Sequence, residues 1–137
     1  MVPFGKASLV REGTDVVVFT WGALVQRSLV AAQQAEKDGV SVAVFDLRTI
    51  VPYDWSGIAA LVKKTNRVLV AHEDQLTCGF GAELAARIAG ELFPHLDAPI
   101  RRVAAMDTPV AYAPDLEEAI LPQASDVLAA IQETAQY

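Results

Sequence analysis

Two short runs set the pattern. Val16-Val17-Val18-Phe19-Thr20 and Val68-Leu69-Val70, inside Arg67 to His72, are apolar without alternation. Such runs suit strands buried on both faces, as in the middle of a parallel sheet. Val40 to Leu47 and Ile100 to Ala104 read as two further strands, and Ala7 to Val10 as a short leading one. Between them the apolar period lengthens to that of a helix. Gly22 opens a helix that runs to Lys37 on Ala23, Val30, Ala31 and Ala35, and Gly39 supplies its left-handed cap. Pro52-Tyr53-Asp54 caps a second helix, Trp55 to Lys64, whose Ile58, Leu61 and Val62 face inward. Gly79-Phe80-Gly81 leads a third to about Phe93, with the stripe Leu84, Ala85, Ile88, Ala89 and Leu92. A turn-rich stretch from Met106 to Pro114 precedes two short helices, Asp115 to Leu121 and Ser125 to about Gln136, the last with Ser125 as N-cap.

Strands alternating with helices predict an α/β fold: a three-layer αβα sandwich on a mostly parallel five-stranded sheet with one antiparallel edge strand. The 137 residues suit one domain, residues 1–137. At 53% apolar and 20% charged, the chain can bury a full core. No apolar run approaches the roughly 20 residues of a membrane helix. The one cysteine, Cys78, precludes an internal disulfide, and with His72 and His95 it leaves too few soft ligands for structural zinc. Met1 to Gly5 carries no signal-peptide pattern, so the expectation is a reducing, cytoplasmic setting.

Charge sharpens this picture. The net charge is -6, yet residues 1–102 hold all 11 Lys and Arg and 11 of the 17 acids, and so sum to zero. Residues 103–137 hold no cation, only Asp107, Asp115, Glu117, Glu118, Asp126 and Glu133. That field repels phosphate backbones, which argues against nucleic acid, and it would steer a basic partner. Solubility and acids at helix starts account for any single one of these residues.

Candidate chemistry gathers at one edge. His72 and Glu73 end a buried strand and enter a loop, the carboxyl-end position where open α/β sheets bind ligands. A histidine there can hold a substrate or move a proton, and equally it can be structural, bonded to a neighbouring loop. Gly79-Phe80-Gly81 opens a helix whose free N–H groups could meet an anion. However, the third glycine of a dinucleotide fingerprint would fall at Leu84, and close strand–helix packing explains both glycines too. Cys78 precedes that helix, six residues after His72; a Cys–His nucleophile and a small buried filler are the two readings. Asp107-Thr108-Pro109 suits a polar turn or an interface, and Trp21, Tyr53 and Trp55 can be core or contact residues. No complete active site emerges.

The order of the motifs says more. Pro3-Phe4-Gly5-Lys6-Ala7, Glu12-Gly13-Thr14-Asp15, Thr20-Trp21-Gly22-Ala23 and Asp46-Leu47-Arg48-Thr49-Ile50-Val51-Pro52-Tyr53-Asp54 come first. Lys63-Lys64-Thr65, His72-Glu73, Gly79-Phe80-Gly81-Ala82-Glu83, Asp97-Ala98-Pro99-Ile100-Arg101-Arg102-Val103, Asp107-Thr108-Pro109 and Tyr137 follow. In this order they resemble, over nearly the whole chain, the C-terminal domain of the E1 β subunit of 2-oxoacid dehydrogenases, in the transketolase C-terminal domain family. Branched-chain (2-oxoisovalerate) and pyruvate enzymes are its best-known members.

The resemblance implies an E1 that uses thiamine diphosphate and Mg2+ to decarboxylate a 2-oxoacid and reductively acylate the lipoyl group of E2. It implies that the cofactor is held by domains outside this chain, which alone would bind none and be inactive. The implied partners are the E1 α subunit, a second E1 β chain in a dimer, and the basic subunit-binding domain of E2, with no nucleic acid and no membrane. The expected contacts are the helical face or the Asp107–Pro114 turn for self-association and the cation-free tail for E2. His72, Glu73, Asp107, Thr108 and Tyr137 are the candidate interface or substrate-channel residues. The competing expectation is a free-standing α/β ligand- or nucleotide-binding module using His72 and the Gly79–Gly81 helix start.

Overall fold

The apolar runs form the middle of one sheet. In a computed structural model that describes all residues from Met1 to Tyr137, the strands are β1 (Ser8–Arg11), β2 (Val16–Thr20), β3 (Val42–Asp46), β4 (Val68–Gln75) and β5 (Arg101–Ala105). Their spatial order is β1-β3-β2-β4-β5. β1 runs antiparallel to β3, and every other pair is parallel. β2, whose five residues are all buried, sits at the centre. The expected three-layer α/β sandwich with one antiparallel edge is the fold observed.

Side-chain alternation sorts the strands onto two helical layers. On one face, Val17, Phe19, Phe45, Val68 and Val70 pack against Ile58, Leu61 and Val62 of α2 (Trp55–Thr65) and Leu84, Ile88 and Leu92 of α3 (Phe80–Leu92). On the other, Val18, Val42, Val44, Leu69 and Ala71 meet Ala31, Ala32 and Ala35 of α1 (Leu24–Lys37) and Val127 and Ile131 of α5 (Ala124–Ala135). The alanines of α1 let α5 approach closely. α4 (Pro114–Ile120) belongs to neither layer and buries no residue.

Several boundaries differ from the pattern-based expectation. β4 does not stop at His72: Glu73, Asp74 and Gln75 look like loop residues, but Gln75 lies in register with Ala105 and prolongs the strand. Between the pairs Ala71–Val103 and Gln75–Ala105, β4 advances four residues and β5 two, so β4 bulges at His72–Asp74. α1 begins at Leu24, after a turn in which Gly22 takes φ +62°. Ser125 is not the N-cap of α5; Gln123 is, its own N–H donating to Asp126 Oδ2 at 2.8 Å in a reciprocal capping box. Gly39, at φ +82°, follows α1 as expected.

Candidate functional site

At the carboxyl edge, β4 turns His72 towards α3 and away from solvent. The residue is fully buried, and its ring stacks on Trp21, centroids 5.1 Å apart and planes 5° apart. Neither imidazole nitrogen has a hydrogen-bond partner, so the expected bond to a neighbouring loop is absent. Burial holds the His72 pKa below its usual value, and Arg102 adds to this, while Asp74 partly offsets it. The neutral ring is a wedge between sheet and helix.

The glycines exist for that wedge. A Cβ on Gly81 would lie 2.1 Å from His72 Nε2, and one on Gly79 would lie 2.1 Å from the Gln75 carbonyl oxygen. The start of α3 is also capped from within, because the Phe80 N–H donates to Asp74 Oδ2 at 3.3 Å. Close packing is thus the role of Gly79-Phe80-Gly81, and the anion cradle that a nucleotide-binding module would need is filled by the chain itself. Cys78 is exposed in left-handed backbone at φ +63°; with both His72 nitrogens unpartnered, no Cys–His pair forms.

Beyond His72 the packing continues as a chain of rings. Phe80 meets Trp21 edge-on at 5.6 Å and Tyr53 at 5.7 Å, and Tyr53 meets Trp55 at 6.3 Å. Arg87 closes the row: its guanidinium lies 4.0 Å over the Trp55 ring, Nη1 donates to the Tyr53 hydroxyl at 2.8 Å, and Nε donates to Glu91. The open question over Trp21, Tyr53 and Trp55 resolves to half-buried packing. Arg87 was not anticipated; an aromatic at the start of a preceding helix is the only sequence signal it has.

The remaining candidates divide. Glu73 faces the α1 side, 4.0 Å from Arg27, whose Nη1 also donates to the Pro122 carbonyl. Glu73 and Thr108 line one cleft of about 160 Å³ with Asp74, Met106, Val110 and Glu117. Asp107 accepts from the Thr77 hydroxyl at 2.6 Å and the Thr77 N–H at 2.9 Å, and these bonds hold its carboxyl below the ordinary range. Gln75 Nε2 donates to the Thr108 carbonyl, so the turn after β5 is tied to the end of β4. Tyr137 stands elsewhere. It lines an apolar groove with Ala85, Ala89, Phe93, Pro99 and Ile100, the last two leading into β5, and so lies at the amino edge of the sheet. The five residues therefore form no single channel.

Fold and edge together define a class: a mostly parallel α/β domain whose His72 and glycine-bracketed helix start are packed against each other at the carboxyl edge. The chain belongs to the transketolase C-terminal domain family; residues 5–127 match the family described as "Transketolase, C-terminal domain". The pyruvate dehydrogenase E1 component subunit beta of Rickettsia conorii is 41% identical over 136 residues, which cover 99% of this chain and 42% of that protein. That of Staphylococcus aureus is likewise 41% identical over 136 residues, with the same coverage. A solved "Split gene transketolase, inactive beta4 tetramer" superposes with a TM-score of 0.84 at 25% identity, covering 98% of this chain and 43% of its own. A transketolase from Pichia stipitis, at TM-score 0.67, 12% identity and coverages of 96% and 18%, shares the fold. The chain spans less than half the length of the curated relatives it matches.

Thiamine diphosphate with magnesium is the group that the resemblance implies for a whole enzyme. The glycine-bracketed helix start of this chain does not fit its diphosphate, because His72 and Asp74 fill it.

Proposed function

We propose that this chain is the C-terminal domain of the β subunit of a thiamine diphosphate-dependent 2-oxoacid dehydrogenase E1 of the pyruvate type. The observation that carries this reading is identity of 41% sustained over 136 residues with proteins named as pyruvate dehydrogenase E1 β subunits. That name favours pyruvate over the branched-chain substrates. In this reading the domain supplies contacts, and the rest of a cytoplasmic E1 supplies the cofactor and the reaction. Its partners are the E1 α subunit, a second E1 β chain and the basic subunit-binding domain of E2, and by itself it turns nothing over. The packing of buried His72 against Trp21 and Gly81 supports a scaffold role for that histidine.

The test is co-expression of the β chain containing these residues with E1 α. Co-purification and pyruvate-dependent CO2 release, both lost when residues 1–137 are deleted, are the expected results. Decarboxylation that persists without them, or micromolar binding of thiamine diphosphate to the isolated 137 residues in calorimetry, would overturn the reading.

A further inference from the structure

His72 is the only ionisable side chain that the fold buries completely, and neither of its ring nitrogens has a hydrogen-bond partner. Its surroundings explain how the neutral ring is held. One face lies on Trp21, and the ring edge lies against the first turn of α3, where Gly81 puts no side chain between the helix and Nε2. Gly79 makes a second close approach possible. The point its Cβ would occupy is 3.0 Å from His72 Cε1 and 3.2 Å from Asp74 Oδ2, so imidazole and carboxylate flank the space that this glycine leaves. Asp74 already serves the backbone: Oδ2 accepts the Phe80 N–H at 3.3 Å and Oδ1 accepts the Gln75 N–H at 2.9 Å. Both groups belong to the bulge at His72–Asp74, where β4 leaves its register with β5.

We propose that His72 and Asp74 form a proton-operated latch on the start of α3, closed while the imidazole is neutral and opened by its protonation. An imidazolium in this place would carry a charge and two N–H donors out of water, which a fold tolerates only with acceptors at hand. The charged groups that act on the ring are Asp74 of β4 and Arg102 of β5. Glu83 of α3 is exposed, Glu73 faces the α1 side beside Arg27, and Trp21 brings no charge. Arg102 opposes a second positive charge, and its Nη1 donates to the Leu76 carbonyl. Asp74 is thus the carboxylate left to receive the imidazolium, and it is the group that caps α3. Because neither ring nitrogen is bonded to it in the closed state, protonation demands a rearrangement. Either Asp74 turns to the ring and releases the Phe80 N–H, or the ring leaves its place beneath Gly81 for water. Both outcomes detach the first turn of α3. Thr77 stays tied to Asp107, and Leu84, Ile88 and Leu92 keep the rest of α3 on the sheet, so the movable stretch is short, residues 78–82.

The test is native-state hydrogen exchange, read by mass spectrometry, in the intact polypeptide that carries these residues. A ring freed from its site titrates near 6.5 and is about ten-to-one protonated at pH 5.5. Exchange of residues 78–82, corrected for its intrinsic pH dependence, should therefore rise about tenfold from pH 8 to pH 5.5. Low concentrations of urea should leave that exchange unchanged while accelerating residues 16–20 of β2, because a local opening exposes little surface and global unfolding exposes much. His72→Gln should abolish the pH response, and His72→Phe, which keeps a ring on Trp21 without a titrating nitrogen, should do the same if the glutamine variant fails to fold. An unchanged rate at residues 78–82 between the two pH values would overturn the latch. So would a urea dependence equal to that of β2, since the opening would then be global, or a pH response that survives in either variant.

Discussion

At the scale of single residues, His72 decides the most. The sequence placed it at the carboxyl end of a buried strand, where a ligand-binding histidine and a structural one look alike. What separates them is Gly81, nine residues on, whose missing Cβ is the space the imidazole occupies. This coupling gives a sharp expectation. Gly81→Ala forces a methyl group to 2.1 Å from Nε2 and should destabilise the fold by about 3 kcal/mol, the upper end of overpacking costs. Combined with His72→Ala it should cost much less than the sum of the two single changes, as urea unfolding would show; strict additivity would refute the steric account. His72 also predicts a pH dependence. Its folded pKa lies below that of the unfolded chain, about 6.5, so the unfolded state binds the extra proton first. Stability is therefore full above that pH and falls as pH drops through it towards the lower folded value. Unfolding midpoints measured between pH 8 and 5 should decline accordingly, and His72→Gln should flatten that part of the curve.

Elements were legible to the degree that their cause was local. Ala23 falls before α1, and Val30 and Ala89, read as part of the helix stripes, are exposed, whereas the buried strands, the inward Leu84, Ile88 and Leu92 of α3 and the Gly39 cap follow from short windows of sequence and lie where the pattern puts them. Asp54 is such a case. It caps α2 through the Gly57 N–H at 3.1 Å, accepts from the Ser56 hydroxyl at 2.8 Å and the Ala7 N–H at 3.4 Å, and lies 3.7 Å from Lys6. Burial acts to raise its pKa, but these donors and the lysine outweigh it and hold the carboxyl below its usual value. Asp54→Ala should cost about 1–2 kcal/mol of stability at neutral pH, and since Asp54 also anchors Ala7, faster hydrogen exchange should extend to the start of β1. Exchange confined to the first turn of α2 would mean that the link to Ala7 is ornamental. What escaped the sequence had distant causes. Glu73 to Gln75 are too polar to read as strand, and only the pairing of Gln75 with Ala105 beyond the bulge returns β4 to the ladder. Gln123 takes the cap expected of Ser125 because Asp126 can bond back to it. Arg87 joins Tyr53 across 34 residues, a distance no periodicity spans.

For the molecule as a whole, the division of charge is the property that sequence states outright and structure then distributes. Of the six acids after residue 102, Glu133 is paired with Arg101 at 2.8 Å, Asp126 closes the capping box of α5, and Asp107 is held by Thr77. Asp115, Glu117 and Glu118 remain as free charge at the carboxyl edge, while Tyr137 and its apolar groove lie at the amino edge. The tail expected to act as one docking surface is thus two surfaces on opposite ends of the sheet. If the acidic end is covered on E1 assembly, the E2 domain meets a surface with less free charge, centred on Tyr137, Arg101 and Glu133. Raising the salt concentration from about 50 to 300 mM shortens the range of charge interactions well below 10 Å. It should therefore weaken assembly of the α–β E1 more steeply than it weakens capture of the E2 domain by assembled E1. Tyr137→Ala should do the reverse, reducing E2 capture in surface plasmon resonance and leaving E1 assembly unchanged. Equal salt slopes for the two steps, or an assembly defect from Tyr137→Ala, would show that the two edges do not act separately.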